Sequence, residues 1–266
     1  MTRAIRPRHR YFDHPAPLPF AHRGGAADGL ENTAAAFRRA VDLGYRYLET
    51  DVHATSDGRL VAFHDATLDR VTDTRGTIGT LPWRAVRTAR VAGREPLPLF
   101  EELLEEFPSA RWNIDVKAEA ALPPLLELLG RTGAWDRVCV GSFSEARVAR
   151  AQRRAGPRLA TSLGTRGVAG LRMRSYGRGA LPLDRLLGAA VRRGAACVQV
   201  PVRQWGLPVV DALFLRAAHA FGLQVHVWTV NEADRMAALL DLGVDGIMTD
   251  HIETLRTVLT ERGSWV

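Results

Sequence analysis

The sequence predicts a (β/α)8 barrel of the TIM type with a small insertion after the second strand. Short β-branched or aromatic runs alternate with helix-like stretches along the chain, and such alternation forces parallel pairing. Eight β-then-α units fit into 266 residues, the size and count of this barrel. Glycines stand where helices would close, at Gly44, Gly156, Gly194, Gly222 and Gly243. A doubly wound open sheet is the alternative, but no Gly-x-Gly-x-x-Gly follows the first strand.

Residues 1–17 read as a basic N-terminal tail to one domain spanning 1–266. Leu18–Arg23 is the first strand and Thr33–Leu43 its helix. Tyr47–Ala54 is the second strand, with Leu60–Phe63 an extended continuation after the Ser56-Asp57-Gly58 turn. Residues 66–98 exceed a plain connection and form the insertion. Leu99–Phe107 is helical up to Pro108, and Arg111–Lys117 is the third strand. Leu122–Arg131 carries prolines in its first helical turn, where a missing N–H costs little. Val138–Ser142, Leu159–Leu163, Cys197–Val200, Gln224–Thr229 and Gly246–Met248 complete the strands. Their helices are Ser144–Ala155, Leu183–Arg193, Val209–Phe221, Asn231–Leu242 and Ile252–Glu261. Thr165 to Ala180 reads as a long loop whose Arg166, Arg172, Arg174 and Arg178 serve solvent or an anionic substrate.

A hydrophobic content of 46% with 24% charged residues is ordinary globular material. No apolar run approaches the roughly 18–20 residues of an integral membrane segment. The N-terminus lacks an apolar signal core, and Cys139 and Cys197 read as buried free thiols, so a cytoplasmic location is expected. The net charge of +7 comes from scattered arginines, which argues against nucleic acid as a partner. Lys117 is the single lysine among 36 basic residues. Where arginine meets nearly every need, a lone lysine marks a crowded site that a planar guanidinium would overfill.

Three strand ends concentrate the chemistry: His22-Arg23-Gly24-Gly25, Glu49-Thr50-Asp51-Val52-His53 and Phe63-His64-Asp65. Strand periodicity puts Glu49 and Asp51 on one face, and Asp115 and Lys117 likewise on the third strand. Carboxylates so placed repel one another unless a cation lies between them. Three carboxylates with waters and substrate oxygens suit a divalent ion, Mg²⁺ or Ca²⁺, better than Zn²⁺. Taken singly, a histidine here is a structural hydrogen-bonder and Asp-x-Lys an ion pair. Six such residues closing three consecutive strands exceed what capping arranges.

The order His22-Arg23-Gly24, Glu31-Asn32-Thr33, Glu49-Thr50-Asp51-Val52-His53, Asp57-Gly58, Phe63-His64-Asp65 and Thr67-Leu68-Asp69-Arg70 resembles the glycerophosphodiester phosphodiesterase family. The likeness continues through Asn113-Ile114-Asp115-Val116-Lys117 and Val227-Trp228-Thr229-Val230-Asn231 to Gly243-Val244-Asp245-Gly246-Ile247-Met248-Thr249-Asp250. It implies cleavage of a small-molecule glycerophosphodiester to glycerol 3-phosphate and an alcohol, with a divalent metal ion. It further implies Glu49, Asp51 and Asp115 as metal ligands, His22 and His64 as the acid–base pair, and Arg23 and Lys117 as phosphate contacts; His22 as base and His64 as acid is the order taken here, with the reverse left open. The third ligand is usually Glu in the family; here it is Asp115, with Glu119 a possible substitute. Asp65 either orients His64 or caps a turn, and Trp228 either walls the substrate site or packs the core. The attacking oxygen, water or the glycerol 2-hydroxyl, is left open, as is the oligomeric state. A lysophospholipase D-like enzyme is the near rival; it calls for an apolar rim, and no loop shows a clear cluster of Phe, Leu and Trp. Enolase-type proton abstraction leaves both histidines unexplained, and a decayed binding protein would lack a site residue that this chain retains.

Overall fold

Alternation within each strand decides what enters the barrel. In β2 (Tyr47–Ala54) Leu48 and Val52 join the outer core under the helices, whereas Tyr47 joins the inner cluster. Glu49 and Asp51 share the parity of Tyr47 and so point inward. In β3 (Arg111–Val116) Trp112, Ile114 and Val116 face outward, leaving Arg111, Asn113 and Asp115 inside. The computed structural model describes residues 9–15, 17–177 and 180–266, without the side chains of 180 and 181.

Those strands belong to a closed parallel barrel: β1 (Leu18–Ala21), β2, β3, β4 (Val138–Gly141), β5 (Ala160–Ser162), β6 (Ala195–Pro201), β7 (Gln224–Trp228) and β8 (Gly246–Thr249). β1 pairs with both β8 and β2, which closes the ring. Register places Glu49 opposite Asn113 and Asp51 opposite Asp115, so the acidic residues arrive at matching heights. The strand Leu60–Ala62 adds antiparallel to the end of β2. Beyond it the insertion buries Leu68, Ile78, Val86 and Val91 around Phe63 and Leu99, a small core of its own.

Two expectations change. The tail's residues 1–8 lie outside the described residues, but Arg10–Phe12 is a 3-10 turn with Tyr11 and Phe12 buried. Both rings plug the floor of the barrel. The Tyr11 carbonyl there accepts from Tyr47 Oη and Arg111 Nη1, each at 2.7 Å. The expected loop 165–180 is mostly the helix Thr165–Ser175. Its glycines made the stretch look irregular; instead Gly167 lets the helix seat on Leu163, and Gly170 on Leu183. Burial of that face overrides weak helix propensity. Cys139 and Cys197, separate in sequence, meet inside the barrel with Sγ atoms 3.9 Å apart.

Candidate active site

The chain leaves β1 through a tight turn, His22–Gly24, in which Arg23 (φ 52°) and Gly24 (φ 85°) are left-handed. A Cβ on Gly24 would lie 2.9 Å from both Ala36 Cβ and the Phe37 nitrogen. Gly24→Ala is therefore expected to cost about 2–4 kcal/mol, combining strain and overpacking, and to lower the urea midpoint measurably. The turn swings the Arg23 N–H onto Glu49 Oε2 at 3.0 Å. It also brings His22 Nδ1 to 2.7 Å from Asp250 Oδ1, at the end of β8, and His22 Nε2 to 3.8 Å from Glu49 Oε2. Asn231 braces Asp250 by accepting from its N–H at 3.0 Å and donating to Oδ2 at 3.3 Å.

Asp51 is the hub. Its Oδ2 accepts from Asn32 Nδ2 at 3.0 Å and lies 3.2 Å from Arg23 Nε. Its Oδ1 stands 2.8 Å from Lys117 Nζ, whose other carboxylate is Asp115 Oδ2 at 2.7 Å. Glu31 holds Arg23 from above at 3.1 Å and clamps Arg70 through both carboxylate oxygens, at 3.0 and 2.7 Å. Arg70 in turn grips Asp65 at 2.6 Å, and Asp65 Oδ1 is 2.5 Å from His64 Nδ1. Asp65 thus orients His64. His53 is occupied elsewhere, with Nε2 on the His64 carbonyl at 3.1 Å.

Electrostatics follow from burial and these partners. Burial, then the neighbouring Asp51, pushes the Glu49 carboxyl up to about 7. Asp51 is just as buried, but Lys117 and Arg23 outweigh that and hold it below the usual carboxylate range. Burial leaves Asp115 raised despite Lys117. For His22 burial opposes the charge, yet Glu49 and the bond to Asp250 win and raise its pKa. Arg70 holds Asp65 down at about 2, burial notwithstanding.

The residues fit a hard divalent cation in donor chemistry. Asp115 Oδ1 is buried without a hydrogen-bond partner, and Glu49 is an anion that its surroundings disfavour. As the side chains stand, no three His, Cys, Asp or Glu groups among the described residues enclose an ion, because the Lys117 ammonium takes the place between Asp51 and Asp115. Glu119 is no substitute: it is exposed and paired with Arg147 and Arg150.

The structure brings His22, Arg23, Glu49, Asp51, His64, Asp115 and Lys117 to one mouth of the barrel. Trp228, half-buried at the end of β7, stacks edge-on against Phe143 at 5.9 Å, and Phe143 carries Lys117 Nζ 5.8 Å from its ring centre. It therefore stands at this mouth and also packs against the inner core. Two arginines of the expected loop are spent otherwise, Arg172 on Asp211 and Arg174 on Asp184; Arg166 is exposed, and Arg178 lies outside the described residues. Sequence reasoning did not assign site roles to Glu31, Asn32, Arg70, Asn231 and Asp250. Asp250 was within reach, since it ends a strand as Glu49 and Asp115 do.

A model of the glycerophosphoryl diester phosphodiesterase family matches residues 22–254. A probable glycerophosphodiester phosphodiesterase 2 of Mycobacterium tuberculosis is 41% identical over 261 residues, 97% of each chain. A putative glycerophosphoryl diester phosphodiesterase of Silicibacter pomeroyi shares the fold at a TM-score of 0.79 and 22% identity, covering 97% of this chain and 100% of that one. A phosphodiesterase of Oleispira antarctica, solved with its product sn-glycerol-3-phosphate, matches at 0.77 and 21% identity over 92% of this chain and 97% of that one. By the extent of the family match and the near full-length identity, the chain belongs to the glycerophosphoryl diester phosphodiesterase family.

Proposed function

We propose that the protein hydrolyses glycerophosphodiesters to glycerol 3-phosphate and an alcohol, with Glu49, Asp51 and Asp115 holding a divalent cation, Mg²⁺ or Ca²⁺. The observation that carries this is the pair of imidazole–carboxylate couples, His22 with Asp250 and His64 with Asp65, at the rim of one acidic and cationic cluster. A bound cation would supply Lewis-acid polarisation of the phosphoryl oxygens. Arg23 and Lys117 spread the growing negative charge on those oxygens as the attacking atom approaches. The ammonium is placed to leave one carboxylate for the phosphate, which a bulkier guanidinium would do poorly. Lys117→Arg is expected to lower kcat about a hundredfold while keeping the charge, read in steady-state assays.

Proton traffic falls to the histidines. Asp65 is neutralised by Arg70, whereas Asp250 faces His22 with only the Asn231 amide as a further partner. An unneutralised carboxylate favours the imidazolium, so His22 gives the proton to the departing alkoxide and His64 takes one from the attacking oxygen. This reverses the order expected from sequence.

A coupled assay for released glycerol 3-phosphate tests the reading. Glycerophosphocholine, glycerophosphoethanolamine and glycerophosphoglycerol are the substrates, with and without EDTA, with Mg²⁺ or Ca²⁺ restored. Product formation abolished by chelation and restored by either ion is expected; no product from any of the three refutes the assignment. One observation favours the lysophospholipase D-like reading as second: Phe143, set against Trp228 at the mouth, is 66% exposed, an apolar edge that the sequence did not show. Faster release from lysophosphatidyl than from deacylated substrates would select it.

A further inference from the structure

Beyond β6 the chain makes a hairpin, with Arg203–Gln204 antiparallel to Leu207–Pro208. Its two-residue turn is Trp205-Gly206, with φ 49° and 78°. A turn of this hand ordinarily carries Asn-Gly or Asp-Gly, because a bulky residue at positive φ is costly. The fold gains nothing from the indole, which is 91% exposed, and the adjacent Leu207 is 69% exposed. Arg203 staples the turn by donating to the Gly206 carbonyl.

The hairpin is not isolated. The Pro208 carbonyl accepts from Arg172 at 3.4 Å, and Arg172 lies over the ring of Tyr176, itself exposed next to Met173. At its base, Val202 and Arg203 join Trp228, Glu232 and Arg235 around a cleft of about 370 Å³. Trp228 on its wall touches Phe143, whose ring lies 5.8 Å from Lys117 Nζ. Arg203, two residues past β6, and Arg166 and Arg235, in the first turns of the helices that follow β5 and β7, are exposed, and none is within ion-pair distance of a carboxylate among the described residues. The carboxylates on the same rim include Glu232, the exposed Asp234, Asp211, which is paired with Arg172, and Glu145, whose Oε2 already accepts from the Arg166 N–H.

We propose that the Trp205–Leu207 hairpin docks the mouth of the barrel on an anionic phospholipid bilayer. An indole and a leucine at a tip enter the headgroup boundary, and arginines around them meet the negative surface. A protein partner would call for a packed, complementary surface, whereas a narrow tip with a basic surround suits a fluid one. The docking stands apart from the reaction assigned above. Only its use, presenting the site to lipids with a phosphodiester head, rests on that reading.

The test is cosedimentation with vesicles of phosphatidylcholine alone or with about one-third phosphatidylglycerol, for the wild type and for Trp205→Ser with Leu207→Ser. The expected result is binding to the anionic vesicles that weakens at least about tenfold in the double variant and falls with salt. Release of glycerol 3-phosphate from soluble glycerophosphodiesters stays unchanged in that variant, which shows that it folds. Wild type left in the supernatant, equal binding by the variant, or a patch-dependent dimer in sedimentation equilibrium would overturn the proposal. Vesicle binding without any hydrolysis would uphold it and refute the reaction instead.

Discussion

His22→Ala is expected to lower kcat toward alkyl glycerophosphodiesters by roughly a thousandfold, and His64→Ala by a comparable factor. The two losses separate when the leaving group is p-nitrophenolate, which departs without a proton. On that substrate the His22→Ala deficit shrinks to roughly tenfold, while His64→Ala stays near a thousandfold. The opposite pattern would return His22 to the base and His64 to the acid. Asp250→Asn has a smaller effect with the same leaving-group signature, since Asp250 acts through His22 at 2.7 Å. Neither imidazole variant should change the unfolding free energy, read by urea titration, by more than about 1 kcal/mol, because the barrel core lies elsewhere.

Removing the cation proposed above is expected to have the second large effect, with a readout that includes stability. Glu49 sits at about 7 when no cation relieves it, above the unfolded value for a carboxylate. Between those values the folded state binds more protons than the unfolded one, so stability falls as pH rises through the window. His22, also raised, loses its contribution in the same direction as pH climbs through its folded value. Asp51, Asp65 and Asp250 are lowered and act only at more acidic pH, where their support is lost as pH falls. In chelator, melting temperature is therefore expected to rise as pH drops from about 7.5 to about 5.5. Glu49→Gln removes most of that slope and stabilises the cation-free protein by about 2–3 kcal/mol at neutral pH. In the same variant, Mg²⁺ or Ca²⁺ no longer raises the melting temperature, and turnover falls by orders of magnitude. A wild type whose melting curve ignores both chelator and pH would refute the carboxylate assignment.

Much of this was legible in the residues. Period-two alternation in Tyr47–Ala54 and Arg111–Val116 set both the barrel and the inward aim of Glu49, Asp51 and Asp115, because sheet geometry leaves no freedom once the outer face is apolar. What escaped depends on contacts far apart in the chain. His22 and Asp250 meet only when β8 closes on β1, 228 positions apart. Helix Thr165–Ser175 is set by a groove on Leu163 and Leu183 that composition does not reveal. The exposed Trp205 hairpin was hidden for the opposite reason: an aromatic beside a glycine reads as ordinary core until burial is known.

The barrel has two ends with unequal tolerance. Tyr11 and Phe12 precede the first strand, yet they stopper the shaft below Phe20 and Tyr47. A version trimmed to start at Leu18 would lose that cork, leaving the Tyr47 hydroxyl and the Arg111 guanidinium without the Tyr11 carbonyl. Water would then reach upward toward the paired thiols of Cys139 and Cys197. Engineering at the upper rim can proceed by swapping loops, whereas the lower opening depends on keeping Tyr11 and Phe12.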